Sequence, residues 1–139
     1  MNIRDLMTRN PIICTADTKL TDVAKLMRDE DIGDVLVGDE QTLCGIVTDR
    51  DIVVRGLAER DDVTTAVAGD VCSDDVCTVD VDDDIGDVVQ TMEQRALRRV
   101  PVTDDGSVVG IVSLGDLATA LDEESALGKI SAAAPSPNQ

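Results

Sequence analysis

Two segments of this chain carry residue types able to grip a ligand: Thr48-Asp-Arg-Asp51 and Ser113-Leu-Gly-Asp116. Each sets a hydroxyl three residues ahead of a carboxylate, directly after an apolar run (Gly45-Ile-Val, Gly110-Ile-Val). The run reads as a strand and the segment after it as a helix, so the hydroxyl marks a helix start. Backbone amides without intrahelical partners, and the positive end of the helix dipole, favour phosphate there. A hydroxyl beside them can donate to phosphate, and a carboxylate one turn on can accept two hydroxyls, as from a ribose. The glycine three residues before each hydroxyl lets something approach the strand closely. The same spacing is also a capping box, in which hydroxyl and acid satisfy each other's backbone amides and bind nothing else. Both readings stand on these residues.

The elements that position the two segments are written twice. Residues 5–55 overlie residues 70–120 at an offset of 65 without a gap. Asp5/Asp70, Met27/Met92, Val35/Val100 and Asp51/Asp116 are among the identities, and Gly45-Ile-Val47 matches Gly110-Ile-Val112. Each copy predicts β-α-β-β-α. An extended piece (Ile12–Cys14; Val76–Val79) leads to a helix with an apolar stripe (Leu20, Val23, Ala24, Met27; Ile85, Val88, Val89, Met92). Two strands joined by a polar turn follow (Val35–Val37 and Leu43–Val47; Val100–Val102 and Val108–Val112). The fold class is α/β (α+β), with copies at 1–60 and 61–125, a linker at 57–69, and a mobile tail over 126–139.

Composition limits what the pair can do. The 139 residues contain no Phe, Tyr or Trp, so the core is aliphatic and a base has no aromatic shelf to stack on. Twelve basic against 29 acidic residues give a net charge of −17, which repels nucleic-acid backbones and anionic membranes. The Asp excess predicts a haloarchaeal kind of protein, whose salt-loaded cytoplasm screens the self-repulsion. Cys14, Cys44, Cys72 and Cys77 form no Cys-x-x-Cys pair and the chain has no histidine, so buried hydrophobes are expected and a metal site is not. The N-terminus lacks a signal-peptide run and no apolar stretch spans a membrane, which predicts a cytoplasmic protein.

The ensemble Asp5-Leu-Met-Thr8 with Pro11, Leu20–Met27, Gly45–Asp51, Arg99-Val-Pro-Val102 and Gly110–Asp116 resembles a tandem pair of cystathionine-β-synthase (CBS) domains, a Bateman module, over about residues 1–122. The resemblance implies two repeats about a pseudo-twofold axis, with sheets packed together and helices outside. It implies clefts for adenosine-containing ligands (AMP, ADP, ATP or S-adenosylmethionine) and a homodimer of such pairs. It further implies that Asp51 and Asp116 hold ribose hydroxyls while Thr48 and Ser113 touch phosphate. Adenine would lie against Pro11, Ile12 and Ile13, or Val76, Cys77 and Thr78, with Val35 and Val100 as walls. No resident cofactor is implied, and Mg²⁺ would enter only with a nucleotide.

The copies differ in charge. Arg98 and Arg99 align with Gly33 and Asp34, whereas Arg50 aligns with Gly115. Each cleft is therefore expected to own one phosphate-reading arginine, Arg50 or Arg99. Asp74 and Asp75 weaken the second, so the Arg50 cleft is expected to be the stronger. The function expected is a stand-alone regulatory module signalling to an effector protein. A ligand-free dimerisation scaffold is the alternative. An enzyme is not expected, although an inosine-monophosphate dehydrogenase label could be borrowed from enzymes that carry CBS pairs. A (β/α)₈ barrel needs roughly 250 residues.

Overall fold

The computed structural model describes residues 2–39, 41–73, 76–122 and 126–133. In chain order its elements are α1 (Ile3–Leu6), β1 (Thr8–Arg9), β2 (Ile13–Cys14), α2 (Leu20–Glu30), β3 (Asp34–Gly38), β4 (Leu43–Thr48) and α3 (Asp49–Asp51). A π-helical stretch (Ile52–Leu57) and a 3₁₀ turn (Val63–Thr65) lead to α4 (Ala68–Val71). Then come β5 (Val79–Asp80), α5 (Ile85–Arg95), β6 (Arg99–Asp104), β7 (Ser107–Ser113), α6 (Leu114–Leu121) and α7 (Ala126–Ala132). The fold is mixed α+β with two sheets.

The helices form and stop for the same reasons in both copies. Leu20, Val23 and Met27 put one face of α2 in the core, and Val88 and Met92 do so for α5. Ala24, expected in the stripe, is exposed. Each helix ends on a left-handed residue, Asp31 (φ 54°) or Ala96 (φ 53°). The next amide then reaches back five residues, Ile32 N–H to the Met27 carbonyl at 3.0 Å and Leu97 N–H to the Met92 carbonyl at 2.8 Å, which closes orphan carbonyls.

The chain divides into two compact units, residues 11–77 and residues 1–10 with 78–139. In the first, β2 runs parallel to β3 and β3 antiparallel to β4. Val35, Val37 and Val47 point to the helix side, in a core with Leu20, Val23, Met27 and Cys14. In the second, β5 is parallel to β6, and β6 is antiparallel to β7, with β1 on the far side of β7. The expected strand Val76–Val79 shrinks to Val79–Asp80, and α7 occupies Ala126–Ala132 of the expected mobile tail; residues 134–139 lie outside the described residues.

The units cut across the sequence copies because each copy's leading arm docks on the other copy's sheet. Thr8 and Arg9 pair with Ile111 and Gly110. Ser73, their counterpart at the same offset, exchanges both amide bonds with Ile46 at 3.0 and 3.2 Å. Ile3 and Met7 are buried in one arm, Ala68 and Val71 in the other. Half-exposed ion pairs tie each arm down, Arg4–Asp104 at 3.2 Å and Arg60–Asp70 at 3.5 Å.

Candidate functional site: two strand-to-helix junctions

The hydroxyl–carboxylate segments sit where β4 enters α3 and where β7 enters α6. Both are complete capping boxes. The Asp51 amide donates to the Thr48 hydroxyl at 3.1 Å, and the Thr48 amide donates to Asp51 Oδ2 at 2.9 Å. Ser113 and Asp116 reproduce both bonds, at 3.1 and 2.9 Å. All four residues are half-buried. A box engages one carboxylate oxygen and leaves Oδ1 for something else, so capping and ligand binding are compatible. Asp5 and Asp70 cap α1 and α4 in the same way, accepting from the Asn2 and Val67 amides. An acid in this position therefore has a structural use even away from any candidate cleft.

A second bond fixes the junctions to the strand beside them. The Asp49 amide donates to the Gly33 carbonyl at 3.0 Å, and the Leu114 amide to the Arg98 carbonyl at 2.7 Å. Directly across the ladder, Asp34 faces Thr48 and Arg99 faces Ser113. Directly opposed residues share a face, here the one away from Val35 and Val37. In each copy one structural frame brings cap hydroxyl, carboxylate and strand-start residue together.

The first-turn amides are less available than an open helix start implies. In the first copy Asp49 Oδ1 also accepts from the Arg50 amide at 2.8 Å, so Thr48, Asp49, Arg50 and Asp51 all have partners for their amides. In the second copy Leu114 stands at the position of Asp49 and cannot accept, and the Gly115 amide is the open one among the described residues. Arg50 itself is exposed, and Arg99 is half-buried.

Several expected site residues prove to be structural. Val35 and Val100 are fully buried; strand alternation turns them to the helix side with Val37 and Val102, so they cannot wall an open cleft. Ile12 packs against the first copy's core, while its carbonyl accepts from the Leu36 amide at 3.0 Å. Pro11 and Ile13 are half-buried, and Ile13 pairs with Leu36 in β2. Val76 and Cys77 are half-buried and Thr78 is exposed on the approach to β5. Asp74 and Asp75 lie outside the described residues.

The two glycines also have a different use. A Cβ on Gly45 would run into the Ser73 carbonyl oxygen, and one on Gly110 would lie 2.6 Å from Met7 Sδ and 2.8 Å from the Thr8 carbonyl oxygen. What comes close to each strand is the arm of the other copy. The cysteines follow the same logic, since Cys14, Cys44, Cys72 and Cys77 align with Val79, Val109, Met7 and Ile12. Cys14 is buried, and its desolvation pushes the thiol pKa up. Cys44, contrary to expectation, is exposed.

One feature had no forecast in the sequence. A groove of about 610 Å³ opens between α5 and α6, lined chiefly by Val89, Met92, Leu97, Leu114, Leu117 and Leu121. Leu114 and Leu121 are 45% and 61% exposed, more than the inner side of a packed helix pair would leave. Among the described residues no group of three or more His, Cys, Asp or Glu stands together as a metal site. No described helix is long and apolar enough to cross a membrane.

Comparison with known proteins matches the CBS domain model twice, over residues 3–57 and 67–123. Hypoxic response protein 1 of Mycobacterium tuberculosis is 40% identical over 121 residues, 86% of this chain and 85% of that protein. The CBS domain-containing protein YhcV of Bacillus subtilis is 33% identical over 117 residues, 84% of this chain and 83% of that protein. The crystal structure of hypoxic response protein I, with two coordinated zinc ions, superposes with a TM-score of 0.75 at 38% identity, covering 86% of this chain and 98% of that one. The CBS domain pair of protein MJ0100, solved in complex with 5′-methylthioadenosine and S-adenosyl-L-methionine, gives a TM-score of 0.75 at 26% identity, covering 87% and 99%. These relatives lend no support to a haloarchaeal origin. With both repeats matched and the shared fold in place, this chain belongs to the CBS domain family as a tandem pair.

Proposed function

We propose that the chain is a regulatory module that binds an adenosine-containing ligand and signals to a partner by a change of conformation or oligomeric state. The observation that carries this is the doubled junction, in which a half-buried carboxylate keeps one oxygen beyond its cap and lies beside a hydroxyl at a strand end. The ligands solved with the MJ0100 pair support the class. Asp51 and Asp116 hold ribose hydroxyls, Thr48 and Ser113 contact phosphate with Arg50 and Arg99, and Pro11, Ile13 and Thr78 border the base. Copies of the module pair through their exposed helical leucines and valines, Val53, Leu57, Leu114 and Leu121 among them. The module performs no catalysis of its own.

Thermal melting at high salt with AMP, ATP, S-adenosylmethionine or NAD tests the reading. A ligand at 100 times its Kd adds about 2.7 kcal/mol to stability, so at least one must raise the melting point clearly. If none does, the second reading stands: a dimerising scaffold whose motifs are caps alone, which the complete capping boxes favour.

A further inference from the structure

The groove between α5 and α6 has an apolar middle, exposed leucines at its ends and balanced charge. On α6, Leu114, Leu117, Ala118 and Leu121 fall at i, i+3, i+4 and i+7, an apolar stripe along one side of the helix. Leu117 is buried, Leu114 and Leu121 at the two ends are exposed, and Ala118 lies half-buried between them. Helix α7 packs on α6 from another side. It meets α6 at Thr119, whose hydroxyl reaches the Gly128 carbonyl at 3.5 Å, and Thr119 lies well round the helix from the stripe. At the repeat offset the first copy has Asp49 for Leu114, Gly56 for Leu121 and Asp31 for Ala96, with Val53 at Ala118. Its corresponding surface is therefore interrupted by two acids and lacks the end leucines. Charge narrows the choice of occupant further. Two chains of net charge −17 repel each other, so they meet most readily where charge is balanced. The charged residues lining the groove are one acid and one base, Glu93 and Arg98, so two copies of this face can approach.

We infer that a second copy of this chain covers the groove like on like: α6 of each protomer lies in the groove of the other, about a twofold axis that passes beside Ala118. Such an isologous contact is self-complementary. With the two helices antiparallel, Leu114 of one protomer meets the partner's Leu121 at both ends, and the small alanine at the centre lets the helices come close. Pairing the groove with the first copy's surface would instead set Asp31 and Asp49 against leucines, where burying a carboxylate is costly. This rests on the pairing of copies in the reading above, not on its ligand, and fixes which faces meet.

The test is sedimentation velocity of the full chain over a dilution series at high salt, followed by interference optics because the chain has no aromatic residue. Ala118→Glu and Ala118→Lys, each shown by melting to be folded, bring like charges together across the axis. Each is expected to weaken the dimer about tenfold or more. Mixed in equal amounts they set Glu against Lys, and the mixture is expected to recover most of the wild-type affinity. Leu121→Ser, at a largely exposed position, is expected to weaken the dimer about tenfold with little change in the unfolding midpoint. A mixture no tighter than its single variants, or a single variant that pairs as well as wild type, overturns the like-on-like contact while leaving the pairing of copies in place. A wild type that stays monomeric at every concentration removes the pairing itself, and this contact with it. No ligand is present, so neither outcome touches the adenosine reading.

Discussion

The first and second copies agree bond for bond in what builds the junction and disagree in what surrounds it. Each has the reciprocal cap bonds, the tie from helix start to strand start, the left-handed stop after its long helix, and the arm that pairs beside the glycine strand. Against that, Asp34 aligns with Arg99 and Asp49 with Leu114 at the repeat offset, and a π-helical stretch follows one motif where a regular α-helix follows the other. The lesson is a division of labour. Positions fixed by backbone hydrogen bonding are shared between copies, and the charged positions around them have diverged.

The comparison breaks most visibly at the glycines. Gly45→Ala pushes a methyl onto the Ser73 carbonyl, whereas at Gly110 the nearest atom is the flexible Met7 sulfur and the Thr8 carbonyl oxygen stands farther off, at 2.8 Å. Chemical denaturation should show a loss of about 3 kcal/mol or more for Gly45→Ala and about half that for Gly110→Ala, in the upper range for overpacking. Equal costs would mean that the two arms press on their glycines alike, against this difference. Low salt comes next. Unit 11–77 has sixteen acids against six bases and the other unit thirteen against six, net −10 and −7. Removing salt should lower the melting point by about 5 °C or more, and hydrogen exchange should show β3 and β4 losing protection before β6 and β7.

Smaller effects sharpen the shared frame. Asp5→Ala, Asp51→Ala, Asp70→Ala and Asp116→Ala should each cost about 1 kcal/mol, the ordinary worth of a cap, and only the second and fourth should touch ligand binding. A similar loss of binding from Asp5→Ala would move the site. Smallest is the alkaline response of Cys14, whose partner Val79 cannot titrate. Its folded pKa is raised by burial, so the unfolded chain ionises first as pH rises. The stability it contributes is present below the unfolded thiol's pKa and is lost as pH climbs through the folded value. Cys14→Val should flatten that alkaline loss, read from denaturation midpoints between about pH 7 and pH 10.

Much of this was legible in the residues, and the remainder has physical reasons. The stripe at Leu20, Val23 and Met27 and the runs around Gly45 and Gly110 carry clear periods, so helices and strands follow from them. The arms did not announce themselves. Residues 3–9 and 68–73 are too short for a period, and β1 finds its partner about a hundred residues away. The glycines held the clue, read as room for a ligand when the occupant is backbone. Alternation of period two should have set Val35 and Val100 on the face of Val37 and Val102. Thr48–Asp51 and Ser113–Asp116 were legible as caps or as a site, and the completed caps leave that choice to binding data.

Ligand binding requires the junction carboxylates to do more than cap. Replacing both with asparagine keeps a cap acceptor while removing the charge that would hold a ribose. Equilibrium titration of adenosine into the full chain at high salt, wild type beside Asp51→Asn/Asp116→Asn, decides it. The prediction is measurable binding to wild type, weakened about tenfold or more in the double variant at nearly unchanged stability. Equal binding in the two proteins, or none in wild type, would contradict it.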